Sequence, residues 1–477
     1  MRCARTRAAV LGIALATLHA GCQVTCPSAD RAPVPDGRVA AFAVLARDET
    51  RTQISLLDAR GALITFPSPD DVDGPETDVW LDANDTWAGM LTPDGIGLEP
   101  QLAETPLPAS LGGPFVTLFL PGDAREIARF PVDGSAPIET LTVPALRGDQ
   151  TARGGVVRDL VVSSEADRPT VLYALRGEGV IPGSPDRAFG EDLLVIDPAL
   201  DPEIGGAVIA TIPLGAAGSS GVGGPDVPAA PQRMVAAFDR LYVGLDRYAA
   251  SGLTSIVGPG AIAIVDPAGR RLVGTFELPF PDFTRCGQIA RSPTDSGDPN
   301  VIFLVVACRG AGDDLASQQR SAGVVLLRVE QDPDVPEREP VVTAETWWRA
   351  NTELDLVPSR GLVALPGNAI AAVSDGDASM LRDDTLFVLD LDAEPPVVQR
   401  IARGVLVPDQ LSGLGTGAFL PDPAAPDAGL LVWPAGRSGI LRMSVRSVGG
   451  SIEVEGLSRF ELCNDLVAQQ VRLLSQP

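Results

Sequence analysis

Five times along the chain an apolar, strand-like run ends in an acid and is followed, after a short loop, by a second extended run. The clearest copy is Gly260 to Pro279, GAIAIVDPAGRRLVGTFELP. Ile262 to Val265 is apolar and largely β-branched, Asp266-Pro267-Ala268-Gly269 carries turn chemistry, and Arg271 to Leu278 resumes an extended pattern. Asp266 has the side chain to bond the backbone two residues on, Pro267 presets φ at a turn's second position, and Gly269 tolerates positive φ. The stretch predicts two antiparallel strands. Copies run from Ile54 to Asp58, Leu193 to Asp197 and Leu386 to Asp390, and Val324 to Glu330 supplies a fifth with glutamate in the acid's place. Their following strands are Ala62 to Phe66, Val208 to Pro213, Val397 to Ile401 and Val341 to Thr346.

Two further strands precede most of these hairpins. Pro231 to Phe238 is followed by Arg240 to Leu245, Val156 to Ser163 by Thr170 to Leu175, Cys286 to Ala290 by Val301 to Val306, and Arg360 to Leu365 by Ala369 to Val373. A four-stranded unit repeated at long, uneven intervals is the pattern of propeller blades. Blades are expected near 72–146, 150–214, 230–280, 284–346, 355–402 and 410–462, with a three-stranded piece at 38–66. A spare strand at Asp465 to Leu474 would complete that first sheet. The predicted fold is therefore all-β, a single propeller of seven four-stranded blades closed by its N- and C-terminal strands. Closure removes the free sheet edges that would otherwise expose unpaired backbone.

PQRMVAAFDRLYVGLD followed by GAIAIVDPAGRRLVGTFELP resembles the YVTN-type bacterial β-propeller family, which has an inner strand opened by proline, an LYV strand and an IxVID-like hairpin. The resemblance covers residues 150 to 402 and thins toward both ends. Tryptophan-aspartate and kelch signatures do not match.

Composition fits such a chain. Glycine (50) and proline (43) among 477 residues favour many short strands over long helices, and with aromatics at 5% the core must be aliphatic. All the basic residues are arginine, and the only histidine is His19. Without lysine, and without histidine beyond the leader, a Ser-His-Asp or Cys-His pair, a Schiff-base lysine, a phosphate-loop lysine and a histidine-containing zinc site are excluded. With 37 basic against 62 acidic residues the formal charge is −25, which repels nucleic acid and anionic membrane. The simplest reading of that acidity is solubility.

The chain opens with arginines, an apolar run from Ala8 to Leu18 and small residues before Cys22, the proportions of an export signal and too short to span a bilayer. Ala20-Gly21-Cys22 resembles a bacterial lipobox, although His19 stands where that pattern has leucine, so ordinary signal cleavage is the alternative to lipidation of Cys22. The expected organisation is a signal peptide at 1–21, an anchor and tether at 22–37 and a propeller at 38–477. By resemblance to enterobacterial sorting rules, Gln23 permits outer-membrane delivery, facing the periplasm or the cell surface. Besides Cys3 and Cys22 there remain Cys26, Cys286, Cys308 and Cys463, an even set in an exported chain. Cys286 and Cys308 fall on consecutive predicted strands, and Cys26 and Cys463 flank the folded region. The expected pairs are 286–308 and 26–463, against free buried thiols.

Arg158, Arg233, Arg285 and Arg360 fall at the start of four predicted inner strands, where a propeller places them around its central channel. Guanidinium forks match carboxylate or phosphate, so an anionic ligand at the channel mouth is one reading. Pairing with neighbouring acids such as Asp159, stapling the blades, is the other. The recurring acids read as turn formers. Acid clusters at Asp70, Asp71 and Asp73 and at Asp82, Asn84 and Asp85 offer oxygen ligands, but Trp80 stands where a calcium loop needs glutamate. No cofactor or metal site is expected, calcium at these clusters being the exception weighed. Gly215 to Gly224 leads to Pro225 and Pro228 rather than a helix, so it is an inter-blade loop and no phosphate cradle. Trp347-Trp348 suits core and contact surface equally.

The functional expectation is a monomeric envelope lipoprotein that binds or scaffolds an envelope protein, a polymer or a small anionic ligand, with no nucleic-acid partner and membrane contact only through its lipid. The alternative is a metal-dependent, lactonase-like hydrolase at the channel. A haem-bearing redox propeller is disfavoured by the lack of C-x-x-C-H.

Overall fold

The computed structural model describes residues 40–47, 51–64, 79–82, short strands between 101 and 142, and 156–473 apart from some connecting segments. Among these residues the chain forms six four-stranded antiparallel sheets and one sheet that joins its two ends. Within each four-stranded sheet the strands follow in sequence order. The sheet that contains the starting hairpin runs Pro231–Ala237, Arg240–Leu245, Ala261–Asp266, Arg271–Glu277. The others span 101–142, 156–213, 288–349, 360–403 and 418–461.

The cores lie between sheets. One apolar cluster joins Val161, Leu175 and Leu193 to Met234, Val243 and Val265 across the seam between the 156–213 and 231–277 sheets. Equivalent clusters fill the next three seams, and a fifth packs Phe42, Val44 and Leu57 against Leu420, Val432 and Ile440. Middle strands are the most buried, Ala369–Ser374 along its whole length, because they have sheet on both edges and apolar side chains on both faces. Outer strands such as Val341–Arg349 alternate toward solvent. The innermost strands Val156–Ser163, Pro231–Ala237, Gln288–Arg291, Arg360–Leu365, Ala418–Asp422 and Val467–Leu473 each touch the next. Sheets stacked face to face around a shared inner edge are the blades of a β-propeller, the all-β fold expected from the repeat.

Turns follow the expected chemistry with one correction. Phe238 and Asp239 both have positive φ (49° and 54°), the two-residue hairpin turn whose twist matches its strands. After the starting strand, the Asp266 carboxylate accepts the Gly269 N–H at 2.8 Å, and the left-handed residue is Arg270 (φ 52°), not Gly269. The turn is one residue longer than Asp-Pro-Ala-Gly suggests. Gly269 is small for space, since a Cβ there would lie 2.5 Å from an Asp266 oxygen. Asp58 and Asp390 likewise accept backbone N–H groups of their own turns.

The end-joining sheet differs from expectation on one side. Ala40–Arg47 pairs with Val467–Leu473, Val44 opposite Val471, as the spare strand implied. Val79–Asp82, expected within the 72–146 unit, pairs instead with Arg51–Asp58, giving this sheet a fifth strand. The remaining expected calcium ligands lie outside the described residues, as do Cys22, Cys26 and Cys463. Cys286, two residues before the inner strand Gln288–Arg291, and Cys308, on the second strand Val301–Arg309, form the expected disulfide.

Candidate functional site

Of the four arginines singled out in the sequence, Arg158, Arg233 and Arg360 lie within the first three residues of the inner strands Val156–Ser163, Pro231–Ala237 and Arg360–Leu365, whereas Arg285 lies three residues before Gln288–Arg291, outside the strand expected to begin at Cys286. Arg233 lies opposite Gly244 and Arg360 opposite Val373, each near the end of its second strand. Arg158 packs on Gly177, where a Cβ would sit 2.7 Å from the arginine's Cγ. The Arg285 carbonyl accepts the Arg309 N–H at 3.1 Å. Connections on that side of the blades include the 3₁₀ turn Gly215–Ala217, the paired strands Tyr248–Ser251 and Thr254–Val257, and the helix Leu315–Ser321.

Arg360 forms an ion pair with Asp384, whose carboxylate is buried. The Arg285 guanidinium lies over the Tyr248 ring, 4.3 Å from its centroid, in a cation–π contact with the hairpin. Buried Asp159, beside Arg158, accepts the Met234 N–H at 2.9 Å and so ties one inner strand to the next.

The structure adds partners that no spacing announced. Buried Asp246 accepts the Gly287 N–H at 2.9 Å and an Arg309 Nη at 2.6 Å, linking the 231–277 blade to its neighbour. Arg176 and Asp192 form a bidentate pair across two strands of one blade. Arg247 is fully buried, donates to the Ala217 carbonyl from Nε and Nη2 at 3.0 and 2.8 Å, and grips Glu277 at 2.5 and 2.7 Å. Three non-glycine residues with positive φ, Ala230 (44°), Arg247 (41°) and Arg285 (56°), lie on this side, a concentration of backbone strain that often marks a functional region.

Two titrations are displaced. Burial pushes the Glu191 carboxyl above its usual range, opposed by hydrogen bonds from Ala229 and Ala230 backbone N–H groups and reinforced by Asp192. Burial likewise pushes the Tyr242 phenol up, against the nearby Arg240 charge.

Among the described residues, no three His, Cys, Asp or Glu side chains are placed to hold a metal. Gly215–Ala217 is a 3₁₀ turn in the crossover, and Ser219–Ser220 beyond it pairs with Asp226–Val227. Trp348 is buried, whereas Trp347 is 40% exposed. A groove of about 390 Å³ lies between the Ala59 turn and the 418–461 blade, lined by Leu430, Arg446, Glu453 and Glu455 among others.

No protein-family model matches the chain, and no curated protein matches it. Solved structures similar to it include a protein from Bacteroides fragilis provisionally named a 6-phosphogluconolactonase, at 10% identity and TM-score 0.48 over 93% of this chain and 99% of that one. A hypothetical selenium-binding protein from Sulfolobus tokodaii aligns at 11% identity and TM-score 0.46, covering 93% and 94% of the two chains. A β-propeller domain from Myceliophteria thermophila aligns at 8% identity and TM-score 0.37, covering 89% and 98%. At such identities none of them transfers an activity to this chain.

Proposed function

We propose that this chain is an exported, lipid-anchored binding module: a YVTN-like propeller at 38–477 whose mouth takes a small anionic ligand or the anionic group of an envelope protein or polymer. The observation that carries this reading is the arginine series: Arg158, Arg233 and Arg360 sit within the first three residues of three inner strands, and Arg285 lies three residues before a fourth. Planar forks on a rigid rim suit carboxylate or phosphate, and the strained backbone of Arg285 with its ring contact to Tyr248 supports a preset guanidinium. The propeller is read as seven blades closed by the pairing of Ala40–Arg47 with Val467–Leu473, with a Cys26–Cys463 bridge beside the closure and Cys22 carrying the lipid. It acts as a monomer, without nucleic acid and without a cofactor.

Calorimetric titration with a four-carbon dicarboxylate tests the mouth. Arg233→Ala combined with Arg360→Ala is expected to abolish the binding seen in wild type; undiminished binding by the double variant overturns the reading. A stoichiometric divalent ion in the purified protein would favour the lactonase-like hydrolase instead. Mass spectrometry of an unreduced digest tests the bridge, with a 26–308 linkage sinking the scheme. Detergent partitioning of Cys22→Ser against wild type tests the anchor.

A further inference from the structure

Phe280 and Trp347 stack where the crossover from the 231–277 blade reaches the outer strand of the 288–349 blade. Their ring centroids lie 4.0 Å apart and their planes are inclined by 39°. Phe280 is fixed from below by buried Phe283, whose ring centroid is 5.4 Å away. Trp347 is 40% exposed, the one aromatic among the exposed large apolar residues described, and its neighbour Trp348 is locked in the next seam.

Two residues along each segment, the same two stretches are joined again. Arg349 pairs with Asp282 at 3.5 Å, the carboxylate side chain 61% exposed and the guanidinium 38%. Trp347 and Arg349 share one face of their strand, because side chains alternate with period two. The Arg349 N–H is itself held by the Glu353 carboxylate at 2.5 Å, which fixes the strand end.

We propose that this surface is a second binding site, distinct from the arginine mouth, that takes a neutral glycan chain. A sugar ring has an apolar C–H face that stacks on an aromatic plane, and its edge hydroxyls require one acceptor and one donor beside that plane. Trp347 backed by Phe280 supplies the plane, Asp282 the acceptor and Arg349 the donor. Charge selects the occupant: Asp282 and Arg349 cancel each other, so the patch offers no net charge to an ionic chain and suits a neutral one. The rigid backing lowers the ordering penalty that a free tryptophan would carry.

The test is titration of the full chain with maltohexaose, cellohexaose and chitohexaose, followed by intrinsic tryptophan fluorescence and calorimetry. At least one should bind and shift the emission. Trp347→Ala should weaken that binding roughly tenfold or more, and Trp347→Phe by less. Asp282→Asn should also weaken it while leaving dicarboxylate binding at the mouth unchanged, so the two sites fail independently. Circular dichroism of each variant confirms that it is folded. No binding of any hexasaccharide, or binding that Trp347→Ala leaves intact, overturns the proposal. A concentration-dependent dimer abolished by Trp347→Ala overturns it too, because the patch is then an interface between copies.

Discussion

Replacing Arg247 tests the seam chemistry most sharply. Its side chain is 2% exposed, and it carries a charge into a place where the Ala217 carbonyl takes two of its N–H groups and the Pro259 carbonyl a third at 3.3 Å. Glu277, its ionic partner, is 54% exposed, so the carboxylate stays solvated when the arginine goes and that half of the pair contributes little. The loss falls on the buried acceptors and the emptied space: two charge-assisted hydrogen bonds at about 1.5 kcal/mol each put Arg247→Ala near 3 kcal/mol. Backbone strain then separates two variants that packing alone would rank the other way. Arg247 has φ 41°, where alanine is penalised by about 1 kcal/mol and glycine is not. Arg247→Gly should therefore be milder, near 2 kcal/mol, although it removes more atoms. Urea denaturation followed by circular dichroism reads both. A glycine variant less stable than the alanine variant refutes the account.

Among the described residues the buried Tyr242 hydroxyl has no hydrogen-bond partner, so Tyr242→Phe is expected to raise stability by roughly 1 kcal/mol in a thermal melt. Because burial raises that phenol's pKa, the native state keeps a proton that the unfolded chain loses above about 10, and wild-type stability falls as pH rises past that point. The phenylalanine variant should lack that component of the fall. Gly244→Ala would put a Cβ 2.4 Å from the Gly287 carbonyl oxygen of the next blade, backbone against backbone, and should lower the urea midpoint by the equivalent of about 1–3 kcal/mol. Replacing both Cys286 and Cys308 by alanine, which opens a link across 22 residues, should lower stability by about 3 kcal/mol. An unchanged midpoint would show that the bridge constrains little.

The strands were legible because their determinants are local. Val156 to Ser163 and Arg360 to Leu365 read from the sequence with the bounds they have in the structure, since alternation and flanking turn residues mark them within a few positions. Arg158, Arg233 and Arg360 were legible near inner-strand starts for the same reason, whereas Arg285 lies three residues before its strand, which starts later than the sequence suggested. Their partners were not. Asp246 and Gly287 are 41 residues apart and Arg247 and Glu277 are 30 apart, and no periodicity connects them. Val79–Asp82 was assigned to the wrong sheet because a strand's partner is chosen by tertiary packing, while its own sequence fixes only its faces. The extra turn residue before Arg271 escaped notice because Gly269 offered an easier left-handed position than the one Arg270 occupies.

An arginine at the proposed mouth can serve a blade seam and a ligand together, so affinity and stability must be separated at a residue where they diverge. Arg360 is ill suited, since its removal strands the buried Asp384 carboxylate and lowers stability whatever the mouth binds. Arg285 is better placed. Its guanidinium rests on the Tyr248 ring, a contact worth about 0.5–1 kcal/mol near the surface. Its backbone sits at φ 56°, where glycine relieves strain of about 1 kcal/mol. These two terms nearly cancel in Arg285→Gly, and a thermal melt against wild type reads whatever else the side chain contributes. If the arginines hold an anion, dicarboxylate affinity in that variant nevertheless falls by roughly tenfold, the loss of one charge-assisted contact. If they only staple the blades, dicarboxylate affinity stays at the wild-type value whatever the melt shows, and the anionic-ligand reading is withdrawn.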